Sequence, residues 1–209
     1  MNHPAMSFRI QAACSELIWA VQLNLMWIVF TLAGGVILGL GPATAAAYTL
    51  ARRHARNETF QAWTEFWTVY RREFVRASLV VLPMALLATV LIGNYLYFAA
   101  QGPGSGALRI ATFVALLLLA TVGAYIGPLY AHYELPLWAY IPKASLLALT
   151  RPASTVLLLF ALWAIATATA TVPVLALIIS AGAWIYINTW LCLRFFEENE
   201  ARLHLKGNS

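Results

Sequence analysis

Long apolar runs, separated by short segments rich in Gly, Pro and charged residues, dominate this chain. Five of the runs reach the roughly 20 residues that a helix needs to cross a hydrocarbon core. They predict membrane spans at about 17–39, 78–100, 108–127, 153–171 and 174–195. We therefore expect an all-α fold, a polytopic membrane helical bundle in which residues 1–209 form a single membrane domain.

Three shorter segments between the runs have a different pattern. Pro42 favours the first turn of a new helix and so predicts a short helix at 43–56, directly after the first span. Aromatic residues recur at spacings of three and four from Phe60 onward, which predicts an amphipathic helix at 59–77. A third short helix is predicted at 143–150. We expect all three to be interfacial helices on the cytoplasmic side, of which 43–56 either lies along the surface or re-enters the membrane.

The first two interfacial helices concentrate the cations and tryptophans of the chain. Basic and aromatic side chains near an anionic leaflet bind its headgroups, at about 1 kcal/mol for each Lys or Arg. Because these cations directly adjoin the spans, a membrane-surface or partner-contact role is favoured and nucleic-acid binding is not expected. The candidate contact residues are Arg52, Arg53, Arg56, Trp63, Trp67, Arg71, Arg72 and Arg76.

Composition and charge placement set the topology. Hydrophobic residues make up 62% of the chain and charged residues 10%, which indicates a lipid-facing protein. Five spans place eleven cations on one side and two, Arg9 and Arg109, on the other. The positive-inside rule then puts the N-terminus outside and the C-terminus inside. The alternative is a six-crossing chain in which residues 43–54 cross again and the N-terminus lies inside.

Two GxxxG pairs mark candidate helix-packing residues: Gly35 with Gly39, and Gly123 with Gly127. Such pairs let helix backbones approach closely, and they indicate a homo-oligomer unless the glycines are simply ordinary residues of a span. Each pair precedes a Gly-Pro, which favours a two-part repeat of 18–100 onto 108–172. Paired Gly-Pro interruptions are typical of a transporter site or of plain span ends.

A few polar residues within or beside the spans are candidate functional groups. Asn24, Asn94 and Asn188 fall in three different spans and can either serve a substrate path or hydrogen-bond between helices. His132 and Glu134 follow the third span closely, where ionisable groups mark function or form ion pairs with nearby cations.

The chain has little of the chemistry that enzymes use. It contains no Asp, its four His are scattered, and it has no phosphate-binding loop or hydrolase motif. Cys14 and Cys192 are predicted at opposite membrane faces, too far apart for a disulfide. We expect no enzyme activity, no metal and no cofactor.

Four stretches of sequence resemble a known family. Leu23-Asn24-Leu25-Met26-Trp27 and Gly39-Leu40-Gly41-Pro42-Ala43-Thr44-Ala45-Ala46-Ala47-Tyr48 resemble the opening of the YesL family of bacterial membrane proteins. Phe66-Trp67 through Arg71-Arg72-Glu73-Phe74, and Lys143-Ala144 to Arg151-Pro152, resemble later family segments. Where many members have Leu-Pro, this chain has Leu32-Ala33-Gly34-Gly35, which predicts a straighter first span.

The family resemblance implies a function only in outline. Family members look like accessory components encoded beside carbohydrate ABC-transporter genes. For this chain the resemblance implies an accessory or scaffold protein of oligosaccharide uptake, in a bacterial cell membrane, with permease subunits as partners. The alternative is an autonomous small-solute transporter or channel that acts as an oligomer.

Overall fold

The computed structural model describes residues 3–207, with side chains described for 11, 14–102 and 104–194. These residues form eight α-helices and three short helical turns, and no strand occurs among them. The helices are α1 (His3–Ala33), α2 (Ile37–Ala55), α3 (Ala62–Arg72), α4 (Phe74–Ala100), α5 (Gly106–His132), α6 (Tyr140–Thr150), α7 (Pro152–Thr171) and α8 (Ala181–Gly207). The turns are Pro103–Ser105, Leu137–Ala139 and a π-helical turn at Ala176–Ser180.

Five helical segments of the described chain are long and apolar enough to cross a membrane. They are Cys14–Ala33, Phe74–Ala100, Gly106–His132, Pro152–Thr171 and Ala176–Arg194. The prediction of an all-α polytopic bundle is therefore confirmed. The side chains of Arg9, Arg202 and Lys206, which the cation count includes, lie outside the described residues.

The first predicted span is where the fold departs most from expectation. A tight turn at Gly34–Val36 ends α1 and reverses the chain, so a straight helix over 17–39 is wrong. Gly35 has φ +75° and Val36 has φ +64°, and the Ile37 amide donates to the Gly35 carbonyl at 2.8 Å. This is a γ-turn with Val36 at its centre, and the preceding Gly35 supplies the other positive φ at little steric cost. Gly34-Gly35 therefore bends the chain, where a straighter helix was expected.

Helix α2 lies at the centre of the bundle and packs against α1, α3, α4, α5 and α8. The prediction of an interfacial helix at 43–56 is therefore wrong. Small side chains explain the central position, because they let several helices approach one another closely. The buried residues of α2 are Gly39, Gly41, Pro42, Ala43, Ala45, Ala46, Ala47, Tyr48, Leu50 and Ala51.

Pro42 lies inside α2 and does not begin a helix as predicted. Because proline has no N–H, the carbonyl of Leu38 four residues earlier loses its helical donor. The Ser78 hydroxyl of α4 donates to that carbonyl at 3.2 Å, and shares its proton with the Phe74 carbonyl at 2.6 Å. Gly41 permits this contact, because a side chain there would meet the Ser78 backbone.

The amphipathic character predicted for 59–77 is present, but the helix is shorter and its apolar face packs partly against α1. Helix α3 ends at Arg72, and Glu73 separates it from α4. Phe66 and Tyr70 form its buried face against Phe30 of α1, with ring centroids 4.7 Å and 5.3 Å away. Trp63 and Trp67 are each 47% exposed. The predicted helix at 143–150 begins earlier, as α6.

Helix α7 is the least covered of the candidate spans. It packs against α5, α6, α8 and the π-helical turn. Thr155 and Leu158 are its buried residues, whereas Phe160 and Trp163 are more than half exposed. An apolar helix with so little protein around it presents most of its surface to lipid or to another protein.

Candidate functional site

Asn24 is fully buried and joins α1 to the irregular start of α8. Its amide nitrogen donates to the Leu177 carbonyl at 2.8 Å, and its oxygen accepts from the Gly182 backbone amide at 3.1 Å. Gly182 allows this approach, since a side chain there would meet the Ala20 carbonyl. The Leu177 carbonyl belongs to the π-helical turn and the Gly182 amide to the first turn of α8, where backbone polar groups need partners outside their own helix. The position of Asn24 therefore indicates that it joins α1 to the start of α8 by hydrogen bonds.

Asn188 plays a similar part in the middle of α8. Its amide nitrogen donates to the Ala124 carbonyl and to the Tyr48 hydroxyl, both at 2.8 Å. The Cys192 thiol donates to its oxygen at 3.3 Å. All the polar atoms of this buried side chain therefore have partners within the protein. Asn94, the third predicted asparagine, is exposed near the end of α4 and does not join the other two.

The four predicted packing glycines have four different environments. Gly35 lies in the turn, so its assignment to a helix-packing face is wrong. Gly39 and Gly127 are closely packed within the chain, against the end of α1 and the Tyr48 ring respectively. Gly123 is in looser contact, with a built Cβ 3.7 Å from the Met84 methyl carbon. The glycines that pack therefore do so inside this one chain.

A polar cavity of about 230 Å³ brings several predicted site residues together. It collects Arg52 from the end of α2, Arg72 and Arg76 from either side of the α3–α4 junction, and His132 and Glu134 from the end of α5. These positions lie far apart in the sequence. The remaining residues of its wall are Thr49, Glu73, Tyr130, Ala131, Tyr133 and Tyr140.

Hydrogen bonds fix one wall of this cavity. Glu73 accepts from the Tyr130 hydroxyl at 2.7 Å and from the Arg72 guanidinium at 2.9 Å. Arg76 donates to the Leu135 carbonyl at 2.7 Å, and its guanidinium carbon lies 5.9 Å from the Tyr130 ring centroid. The Tyr140 ring stacks on Tyr130 with centroids 5.1 Å apart. Tyr130 is thus held rigidly between the charged residues.

Arg52 takes no part in the hydrogen bonds of this wall. Its Nε is shielded from solvent and has no hydrogen-bond partner among the described residues. With three arginines against two glutamates around it, the cavity favours an anionic ligand.

The other predicted surface cations do not line this cavity. Arg53 forms ion pairs with Glu58 and Glu65, and Arg56 is exposed. The Arg71 guanidinium lies 5.4 Å from the Trp67 ring centroid, on the outer side of α3. The sequence predicted eight equivalent contact residues, whereas the fold separates three of them into a distinct site.

An apolar cavity of about 480 Å³ lies between α2, α4, α5 and α8. Thr44 and Tyr48 of α2, Met84 of α4, Gly123 of α5 and Trp184 of α8 are among its walls. Tyr130 lines this cavity as well as the polar one. Neither cavity was predicted, because no spacing along the chain shows that these four helices meet.

The described side chains offer binding surfaces, and no recognisable catalytic constellation occurs among them. Within the described residues, no three His, Cys or Glu side chains lie close enough together to hold a metal ion. The protein is therefore a multi-pass, all-α membrane protein with an arginine-lined polar cavity beside an apolar one.

Comparisons with known proteins place the chain in a family. A family model described as "Protein of unknown function, DUF624" matches residues 20–95. Uncharacterized protein YesV of Bacillus subtilis is 32% identical over 95% of this chain and 96% of its own. Uncharacterized protein YesL of the same organism is 31% identical over 69% of each chain. Uncharacterized protein YteU is 28% identical over 78% of this chain and 77% of its own.

The chain belongs to the YesL-like, DUF624 family, so the resemblance drawn from its sequence is confirmed. No solved structure matches it. Membership of this family supports an integral membrane protein, and the names of the relatives state no function.

Proposed function

We propose that this protein is a non-catalytic accessory subunit of a bacterial carbohydrate importer of the ABC type, bound beside the permease subunits in the cell membrane. The oligosaccharide connection is taken from the YesL family resemblance, whose members look like components encoded beside such transporters. The proposal assigns the chain no solute path of its own.

The exposure of α7 is the structural observation that supports a partner. Only Thr155 and Leu158 of this helix are buried, whereas Phe160 and Trp163 are 61% and 62% exposed. Their rings lie 6.0 Å apart and form one aromatic surface. Large apolar side chains on a helix that its own protein barely covers fit a helix of a second subunit.

The helix-packing glycines do not form the docking surface in this proposal. Gly39 and Gly127 already pack inside the chain, against α1 and Tyr48. We therefore propose docking through α7, with a second contact through the outer face of α3. That face carries Trp63, Trp67 and Arg71, a combination suited to headgroups or to the surface of a neighbouring subunit.

A pull-down with matched variants tests the accessory role. Tagged full-length protein is extracted from its native host in mild detergent, and the co-eluting proteins are identified by mass spectrometry. We expect permease subunits in stoichiometric amounts, and we expect them to be lost with the double variant Phe160→Ala, Trp163→Ala. Phe113→Ala, a change to an exposed aromatic residue on α5, is the control. Protein that elutes without permease subunits contradicts the proposal.

The alternative, an autonomous transporter or channel acting as an oligomer, relied on asparagines in three spans. Asn24 and Asn188 use their amide groups within the protein, and Asn94 is exposed elsewhere. The larger cavity is lined mainly by apolar side chains. These features favour the accessory role over a path for a polar solute.

Contacts between α1 and α8 bear on the orientation. Asn24 contacts Leu177 and Gly182, whereas Glu16, earlier in α1, hydrogen-bonds to Tyr186, later in α8. The two helices are therefore antiparallel. Two antiparallel spans put both chain ends on one side, so we propose the six-crossing alternative with the N-terminus inside. In that arrangement α2 crosses the membrane back to the inside. The C-terminal end of α2 lies beside the first half of α1, because His54 is 3.0 Å from Glu16.

A further inference from the structure

The polar and apolar cavities are adjacent, and each supplies what the other lacks. Tyr130 forms a wall of both. On α2, Tyr48 lines the apolar cavity and the next residue, Thr49, lines the polar one. A ligand that filled both would need an uncharged apolar part and a charged head.

The charge of the head follows from the groups around the polar cavity. The Glu73 carboxylate is already bound by Arg72 and Tyr130, so it does not neutralise Arg52. Arg52 keeps a shielded Nε with no hydrogen-bond partner among the described residues. A buried guanidinium nitrogen without a partner is destabilising, and a phosphate oxygen is a strong acceptor for it.

The apolar part follows from the larger cavity. Its volume of about 480 Å³ lies within the roughly 300–1,000 Å³ range of ligand pockets in proteins. Its walls are mostly side chains of Ala, Leu, Ile, Val and Met, and its aromatic members are Trp27, Tyr48, Tyr130 and Trp184. Hydrocarbon chains suit such a cavity, whereas a sugar or a free ion does not.

We propose that the two cavities form a binding site for one anionic lipid, with its phosphate group at Arg52 and Arg76 and its acyl chain between α4, α5 and α8. Such a lipid reaches the site from the bilayer itself. Binding would not depend on a permease partner, so this site and the accessory role can be tested separately.

Native mass spectrometry of the purified full-length protein tests the site. The protein, in a neutral detergent, is titrated with phosphatidylglycerol or with phosphatidylcholine of the same acyl chains. We expect phosphatidylglycerol to be retained preferentially. We expect Arg52→Gln to weaken its retention about fivefold, which corresponds to the roughly 1 kcal/mol attributed to one basic residue at an anionic headgroup. Arg56→Gln, an exposed arginine one turn further on, should change little.

A second pair of variants examines the apolar part. Gly123→Leu would project a side chain into the cavity, where only the Met84 methyl carbon is close, and should also reduce lipid retention several-fold. Gly93→Leu is the control, because nothing lies within 4 Å of a side chain there. This pair leaves the arginines intact, so it reports on the site even if Arg52→Gln fails to fold.

Three results would overturn the proposal. Equal retention of the two lipids would remove the charge preference. Binding would be unspecific if the control Arg56→Gln lost as much lipid as Arg52→Gln, or if the control Gly93→Leu lost as much as Gly123→Leu. Inorganic phosphate that binds with the same Arg52 dependence, in protein that retains no lipid and is indifferent to Gly123→Leu, would make a free anion the ligand of the polar cavity.

Discussion

Asn188 donates a hydrogen bond of 2.8 Å to the carbonyl of Ala124, which is the group that Pro128 leaves without a donor. Pro128 lies inside α5, four residues after Ala124, and has no N–H to give. In a bilayer an unpaired carbonyl of this kind cannot turn to water, so another helix must supply the donor. Asn188 of α8 thus supplies the hydrogen bond that Pro128 removes from α5.

This relationship predicts that the effect of Asn188→Ala depends on Pro128. In the native background the substitution leaves a buried carbonyl unpaired and should lower the free energy of unfolding by about 1–3 kcal/mol. In a Pro128→Ala background the helix supplies its own donor, so Asn188→Ala should lower it by clearly less. Denaturant unfolding of the four purified proteins gives the coupling directly. Equal effects in both backgrounds would show that Asn188 does not serve this carbonyl.

Asn24 predicts a second, independent stability effect. Asn24→Ala removes partners from the Leu177 carbonyl and the Gly182 amide together, and should lower the free energy of unfolding by about 1–3 kcal/mol. Asn94→Ala is the matched control, because Asn94 is exposed, and should stay within about 0.5 kcal/mol. If the two asparagines formed a common substrate path instead, both variants would alter transport and neither would stand out in stability.

The five apolar segments that are each long enough to cross a membrane could be predicted from the sequence, because length and hydropathy mark them. The turn at Gly34-Gly35 could not. Two glycines within an apolar run fit a straight helix as well as a turn, and here packing against Gly39 and Tyr70 accompanies the turn. The position of α2 was missed for the same reason, since alanines suit a surface helix as well as a crowded centre.

For the polar cavity, the residues could be predicted from the sequence but their grouping could not. Arg52, Arg72, Arg76, His132 and Glu134 were all singled out from the sequence, yet in separate groups. Their shared cavity depends on the helices α2, α4 and α5 meeting at one end, which no local pattern encodes. Glu73 and Tyr130 were missed altogether, because a glutamate beside arginines and a tyrosine near a span end are ordinary by themselves.

The two glycines of the second GxxxG pair should respond differently to alanine. A methyl group at Gly127 would run into the Tyr48 ring, so Gly127→Ala should lower the free energy of unfolding by about 1–3 kcal/mol. A methyl group at Gly123 meets only the Met84 methyl carbon at 3.7 Å, so Gly123→Ala should be close to neutral. Thermal unfolding of both proteins measures the difference. A dimer built on the pair would instead make both substitutions disrupt self-association, which size-exclusion chromatography with light scattering would detect.

The antiparallel contacts of α1 and α8 make a prediction about Cys14, which is exposed near the start of the first candidate span. Cys192 is buried, so native protein offers mainly one thiol to a reagent. With both chain ends inside, a membrane-impermeant maleimide should leave Cys14 unlabelled in intact cells and label it after the membrane is opened. Cys14→Ser is the control for background, and a cysteine in place of Gly104, in the α4–α5 turn on the opposite side, should be labelled from outside. Labelling of Cys14 in intact cells would restore the five-crossing orientation, and the contacts of Asn24 and Glu16 with α8 would then need a helix that does not cross.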